Sequence, residues 1–174
     1  MTSSNKNPAS LLAAASGAAL TIWLYLNGEA IGAAIAGEAG REAIIAAIWS
    51  HVGWGVVTAP LIMGYLVLRW RAARAAYAQR GALERFGKFV LWALAAVIIF
   101  LIVTGPIVVW TYGSDLKVFD LFVIPTPTGK VPVIHDPLEL AHVWAAKAAP
   151  WLAGLDAALC GAALLRARRE AAAD

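Results

Sequence analysis

The chain reads as an all-α integral membrane protein, a four-helix up-down-up-down bundle in a single domain spanning residues 1–174. Three observations predict it. Hydrophobic residues make up 61% of the chain and charged ones only 14%, with a mean hydropathy of +0.71, whereas soluble proteins carry about 25% charged residues. The apolar residues gather in four runs, at about 9–26, 44–68, 89–110 and 138–165. Basic residues crowd the connection after the second run and the tail after the fourth, and the other two connections are poor in them.

Each run is judged against the bilayer. A helix of about 20 largely apolar residues covers roughly 30 Å of hydrocarbon and satisfies its backbone polar groups within itself. The first run, Ala9 to Leu26, is the shortest; Lys6 before it and small residues from Asn27 to Ala34 also fit a secretory signal, but it is read as a retained span. The second, Ile44 to Leu68, the third, Phe89 to Trp110, and the fourth, Leu138 to Leu165, qualify by length and apolarity. None alternates with the period of two that marks a strand. Pro60 and Pro150 predict kinks, which shape a cavity or merely bend a bundle. The eight tryptophans, among them Trp49, Trp54, Trp110 and Trp144 near the outer boundary, read as an interfacial belt.

Orientation follows from the connections. Arg69, Arg71, Arg74, Arg80, Arg85 and Lys88 follow the second run, and Arg166, Arg168 and Arg169 follow the fourth. Excess Lys and Arg marks the cytoplasmic side, so an even number of spans places both termini in the cytoplasm, and in a bacterium the membrane is the inner one. The first outer connection, Gly28 to Ala43, is rich in Ala and Gly and is expected either to lie along the interface or to extend the second helix outward. The second outer connection carries Pro125, Pro127, Gly129, Pro132 and Pro137 and reads as a structured loop whose stretch Val118 to Ile124 caps the bundle.

Several function classes fall away. The net charge of +3 and a pI near 9.2 come from basic clusters flanking apolar runs, which form no face for nucleic acid. The single cysteine, Cys160, provides neither a disulfide nor a thiolate pair and reads as a small buried hydrophobe. There is no nucleotide-binding glycine motif, acid pair or nucleophile elbow.

Chemistry rests on three histidines. His51 opens the second run, His142 opens the fourth at matching depth, and His135 lies in the outer loop, where it reads as a solvated side chain or as a proton acceptor at the outer surface. An ionisable residue within a span usually faces the bundle interior, and imidazoles on two facing helices suit bis-histidine ligation of a haem iron. In Ser50-His51-Val52-Gly53-Trp54-Gly55, Gly55 stands four residues after His51 on the same face and clears space for a flat macrocycle. The plainer reading is that Gly53 and Gly55 permit close helix packing and that both histidines only hydrogen-bond.

These residues carry a resemblance. Ser50-His51-Val52-Gly53 opening the second helix, the basic connection after it, Thr104-Gly105 closing the third, Leu121-Phe122-Val123-Ile124-Pro125 in the outer loop and His142 opening the fourth resemble the bacterial cytochrome b561 family over roughly residues 44 to 165. The family's members are four-helix membrane cytochromes that relay electrons between quinone and b-type haem. The resemblance implies that His51 and His142 are axial ligands of one outer haem b. The second, inner haem of the family is held by a histidine in helix one and another fourteen residues after the first ligand of helix four. Here helix one has no histidine and that position is Asp156, so the resemblance implies loss of the inner haem.

Asp156 then marks the vacated inner site, as a proton-relay or quinone-related group or, in the preferred reading, as a carboxylate bonded to hydroxyls or to an arginine such as Arg69. Lys147 either reaches a haem propionate or an anionic substrate, or snorkels to the outer headgroups. The expected function is electron transfer between one outer haem and the quinone pool or a periplasmic redox protein. If enzymatic, it is of the cytochrome b561 or superoxide:quinone oxidoreductase type, though the mixed charge of the outer loops does not favour an anionic substrate. The competing expectation is a haem-free accessory subunit of a larger respiratory or photosynthetic membrane complex, with the Ala- and Gly-rich first helix suited to lateral contact.

Overall fold

The computed structural model describes residues 8–76, 81–119 and 121–173, with the side chains of 8–11, 72–76, 164, 167, 168, 170, 171 and 173 outside the description. Lys6, Arg80 and Asp120, and the side chains of Arg74 and Arg168, therefore lie outside the described residues. Four helices dominate: α1 Pro8–Ala36, α2 Arg41–Ala76, α3 Ala82–Thr111 and α4 Pro132–Ala173. Between α3 and α4 stand two short strands, β1 Leu116–Val118 and β2 Phe122–Ile124. Among the described residues, three helices are long and apolar enough to cross a membrane, over Leu12–Ala36, Arg41–Arg71 and Ala82–Thr111. α4 has the length, at 42 residues, and carries His142, Lys147 and Asp156 within it.

The two connections read as outer differ from expectation in two places. Most of the segment after Leu26 extends α1 to Ala36 instead of lying flat or joining α2, because its Ala-rich sequence propagates a helix past the single glycines at 28 and 32. The chain reverses only at Gly37 to Gly40, where the amides of Gly37 and Ala39 close on the carbonyls of Ala33 and Ala34, both at 2.9 Å. Glu38 takes a left-handed φ of +51° in that turn. At the other connection α4 begins at Pro132, earlier than the apolar run at Leu138, since proline is preorganised for the first helical position and forfeits no intrahelical bond there. His135 thus sits on a helix, not in a loop.

The loop between α3 and α4 contains an antiparallel hairpin that pairs Leu116 with Ile124, Lys117 with Val123 and Val118 with Phe122. Leu116 and Val118 are buried against the helices, while β2 is exposed throughout. Gly113, at φ +90°, turns the chain out of α3, and a Cβ there would meet the Lys130 backbone at 3.2 Å.

α1 packs on α2 and α4, α3 packs on α4, and α2 meets α3 less closely, so α2 and α4 face each other across a diagonal. Neighbours run antiparallel: Gly17 meets Tyr65 and Gly28 meets His51 between α1 and α2, and Thr104 meets His142 while Thr111 meets His135 between α3 and α4. The apolar core joins Ala18, Ile62, Tyr65, Leu66, Leu94, Ile98 and Ala153, drawn from all four helices.

Candidate functional site

α2 and α4 each carry a polar residue at two levels, with fourteen residues between the levels, and a helix returns to nearly the same face after that interval. The upper level, at the end bearing the hairpin, holds His51 and His142. The lower level holds Tyr65 and Asp156.

At the upper level both imidazoles are partly buried and lie within electrostatic reach of each other. His51 rests on Gly28 of α1, where a Cβ would stand 3.1 Å from its Cε1 and 3.3 Å from its Nδ1. The ring passes near the Leu24 carbonyl, yet its buried Nδ1 forms no hydrogen bond among the described residues. His142 is held from α3, its Nδ1 lying 2.8 Å from the Thr104 hydroxyl. That hydroxyl also lies 2.8 Å from the Phe100 carbonyl. No protein group bonds His142 Nε2 among the described residues. Gly105, beside Thr104, would place a Cβ 3.6 Å from the His142 ring, an ordinary contact.

Gly53 and Gly55 have separate duties. A Cβ on Gly53 would meet the ring of Phe119 at 2.9 Å, so this glycine admits the hairpin and not a neighbouring helix. Phe119 reaches it from a backbone at φ +50°, a conformation that costs a non-glycine residue about 1–3 kcal/mol. Its ring meets Trp54 edge to face at 5.3 Å, and Trp54 meets Trp23 in the same way at 4.8 Å. Of the stretch Val118 to Ile124 expected to cap the bundle, Val118 and Phe119 pack against it at this end, while Leu121 to Ile124 is exposed. Gly55 would place a Cβ with no atom within 4 Å, which leaves space on the face of α2 that carries His51.

Two other candidates stand apart from the imidazole pair. Lys147 is exposed and its Nζ lies 5.2 Å from the Trp144 ring centroid, on a face of α4 about 140° from His142 at 3.6 residues per turn. His135 is not a solvated loop residue: its side chain is 13% exposed. It joins the start of α4 to the end of α3, with Nδ1 donating to the Val108 carbonyl at 3.1 Å, Nε2 lying 3.5 Å from Glu139 and the ring against Tyr112.

The lower level is filled by protein. Asp156 is fully buried and accepts three bonds: Arg69 Nη2 at 2.6 Å on Oδ1, and Arg69 Nε at 2.9 Å and Tyr65 OH at 3.0 Å on Oδ2. The bidentate fork pairs a planar guanidinium with a carboxylate in its preferred geometry. The preferred reading of Asp156 as the partner of Arg69 therefore holds. The Tyr65 ring takes the remaining room by lying over Gly17 of α1, so closely that a Cβ there would stand 2.6 Å from it. Cys160, one turn beyond Asp156, is buried and free.

Sequence reasoning missed Tyr65, Gly28 and Phe119 and gave Thr104 no role. Counting fourteen residues from His51, as from His142, finds Tyr65. Gly28 lay beyond the expected end of the first helix, and no local pattern marks Phe119.

Among the described residues no three His, Cys, Asp or Glu side chains converge as a metal cluster. Two imidazoles are a donor set that could hold an iron bringing its own equatorial nitrogens in a macrocycle. Among the described residues His51 Nδ1, buried beside Gly28 of α1, and His142 Nε2 have no protein hydrogen-bond partner, and the two helices face across the bundle. No protein-family model, curated protein or solved structure matches this chain.

Proposed function

We propose that this chain is a membrane b-type cytochrome, similar to the cytochrome b561 family, that holds one haem b on its outer side between His51 and His142. It exchanges electrons with the quinone pool or a periplasmic redox protein. The observation that carries this reading is the pair of partly buried imidazoles on diagonal helices at one level, with the Nδ1 of His51 and the Nε2 of His142 free of protein partners among the described residues. Haem bound there supplies a reversible one-electron couple. The residues do the rest: His51 and His142 offer neutral nitrogens, Gly28 lets the His51 ring lie close to α1, and Phe119 with Trp54 shields the outer edge from water. Lys147 takes no part and anchors α4 at the outer headgroups.

Four helices crossing the bacterial inner membrane up-down-up-down, with both termini cytoplasmic, accommodate these residues. Arg69 neutralises Asp156 within the hydrocarbon, which makes α4 tolerable as a span. With Tyr65 and the ion pair filling the lower level, electron exchange is confined to the outer half of the bilayer.

The filled lower level also favours a second reading, a haem-free accessory subunit of a larger membrane complex. The visible absorption spectrum of the purified protein separates the two. A reduced b-type alpha band that disappears in His51→Ala and in His142→Ala is expected; a protein without that band, or a band that survives both substitutions, overturns the assignment.

A further inference from the structure

We infer that Thr104 is the positioning residue for His142, fixing its imidazole in the Nδ1–H form so that Nε2 carries the lone pair. The inference concerns the same site as the proposed haem ligation and, for its consequence, rests on it. Its physical basis is a count of protons. A threonine hydroxyl has one proton to donate and two lone pairs to accept with. Its oxygen stands 2.8 Å from two groups at once, the Phe100 carbonyl and His142 Nδ1. The carbonyl only accepts, so it takes the hydroxyl proton, in the backbone bond that a helical threonine makes one turn back. The second contact is then attractive only if His142 Nδ1 is the donor. The reverse arrangement would point the hydroxyl at Nδ1 and leave two oxygens facing each other at 2.8 Å with no proton between them.

The tautomer matters because an imidazole binds iron through an unprotonated nitrogen, and the hydrogen bond at the other nitrogen decides which one that is. An unconstrained histidine favours Nε2–H, the form that cannot ligate through Nε2. Thr104 reverses that preference before any ligand arrives and orients the ring from α3, the helix packed against α4. The chain Nδ1–H to Oγ1 to the Phe100 carbonyl also polarises along its length, which raises the basicity of Nε2. Thr104 touches only the ligand, so it acts through His142.

The test has an arm that does not depend on haem. The chain holds three histidines, so ring 15N chemical shifts of the haem-free protein, assigned with His51→Ala and His135→Ala, report the His142 tautomer. Wild type and Thr104→Ser are expected in the Nδ1–H form and Thr104→Val in the Nε2–H form. A wild type in the Nε2–H form, or a Thr104→Val that keeps Nδ1–H, overturns the inference. In the second arm, haem retention by Thr104→Val is expected to fall about 10–100-fold, as for other outer-shell partners of metal ligands, with rescue by Thr104→Ser. A wild type that binds haem while all three proteins retain it equally refutes Thr104 and leaves the ligands standing. A wild type with the Nδ1–H tautomer but no haem refutes the cytochrome and leaves the positioning role standing.

Discussion

Replacing Asp156 by alanine removes the carboxylate that ties α4 to α2 across the bundle. Asp156 is fully buried and the Arg69 side chain is 4% exposed, so the substitution strands a guanidinium with no route to water and takes away the acceptor of the Tyr65 hydroxyl. Breaking a buried pair from one side costs about 3–5 kcal/mol, most of it the cost of leaving the other charge unpaired. Arg69→Met should cost a similar amount by stranding the carboxylate instead. The double variant Arg69→Met with Asp156→Leu should recover most of the loss, because apolar residues of similar volume often replace a buried pair without penalty. Tyr65→Phe removes one hydrogen bond to a charged acceptor and should cost about 1.5–3 kcal/mol. Unfolding in mixed detergent micelles, followed by tryptophan fluorescence, gives these stabilities together with that of Asp156→Leu, which closes the double-mutant cycle with Arg69→Met and isolates the coupling. Single variants within about 1 kcal/mol of wild type would mean that the pair behaves like an exposed one, which would refute the reasoning. A double variant as unstable as the two losses added would refute the claim that the stranded charge is the cause.

Three further outcomes follow from the upper level. Gly28→Val places methyl groups where a Cβ alone already stands 3.1 Å from His51, so it should displace the imidazole and weaken haem retention while the helical circular dichroism is kept. Gly53→Ala should cost about 1–3 kcal/mol by crowding the Phe119 ring, and Phe119→Ala in the same chain should relieve that crowding, read as a non-additive pair in the same unfolding assay. Lys147→Gln should leave the absorption spectrum and haem retention at wild-type values, since the ammonium stacks on Trp144 away from the imidazoles; a shifted Soret band would place Lys147 at the haem after all.

Three of the helices, α1 to α3, are long and apolar enough to cross a membrane, α4 carries His142, Lys147 and Asp156, and all four were legible as apolar runs in the sequence. Their ends were less so. α1 runs to Ala36 on alanine propensity that apolarity alone does not register, and α4 starts at Pro132 because proline serves as a helix opener there and not as a breaker. The same misjudged boundary put His135 in solvent, when it bridges α3 and α4. At the site, the two histidines and Gly55 stood out by spacing; Asp156 was reached only by counting from His142 as the resemblance implies, with Arg69 one of the partners named for it. Tyr65 did not, because an aromatic residue in an apolar run looks like any other until its hydroxyl finds a buried carboxylate. Phe119 depends on a left-handed backbone in a hairpin, and Gly28 on a ring approaching from the next helix; both arise from tertiary packing.

The haem content of the purified chain, measured as pyridine haemochrome against protein concentration, tests the central claim most directly. One haem b per chain is expected, lost in His51→Ala and in His142→Ala. No haem would contradict the cytochrome assignment, and two haems would contradict a lower level closed by Tyr65, Arg69 and Asp156.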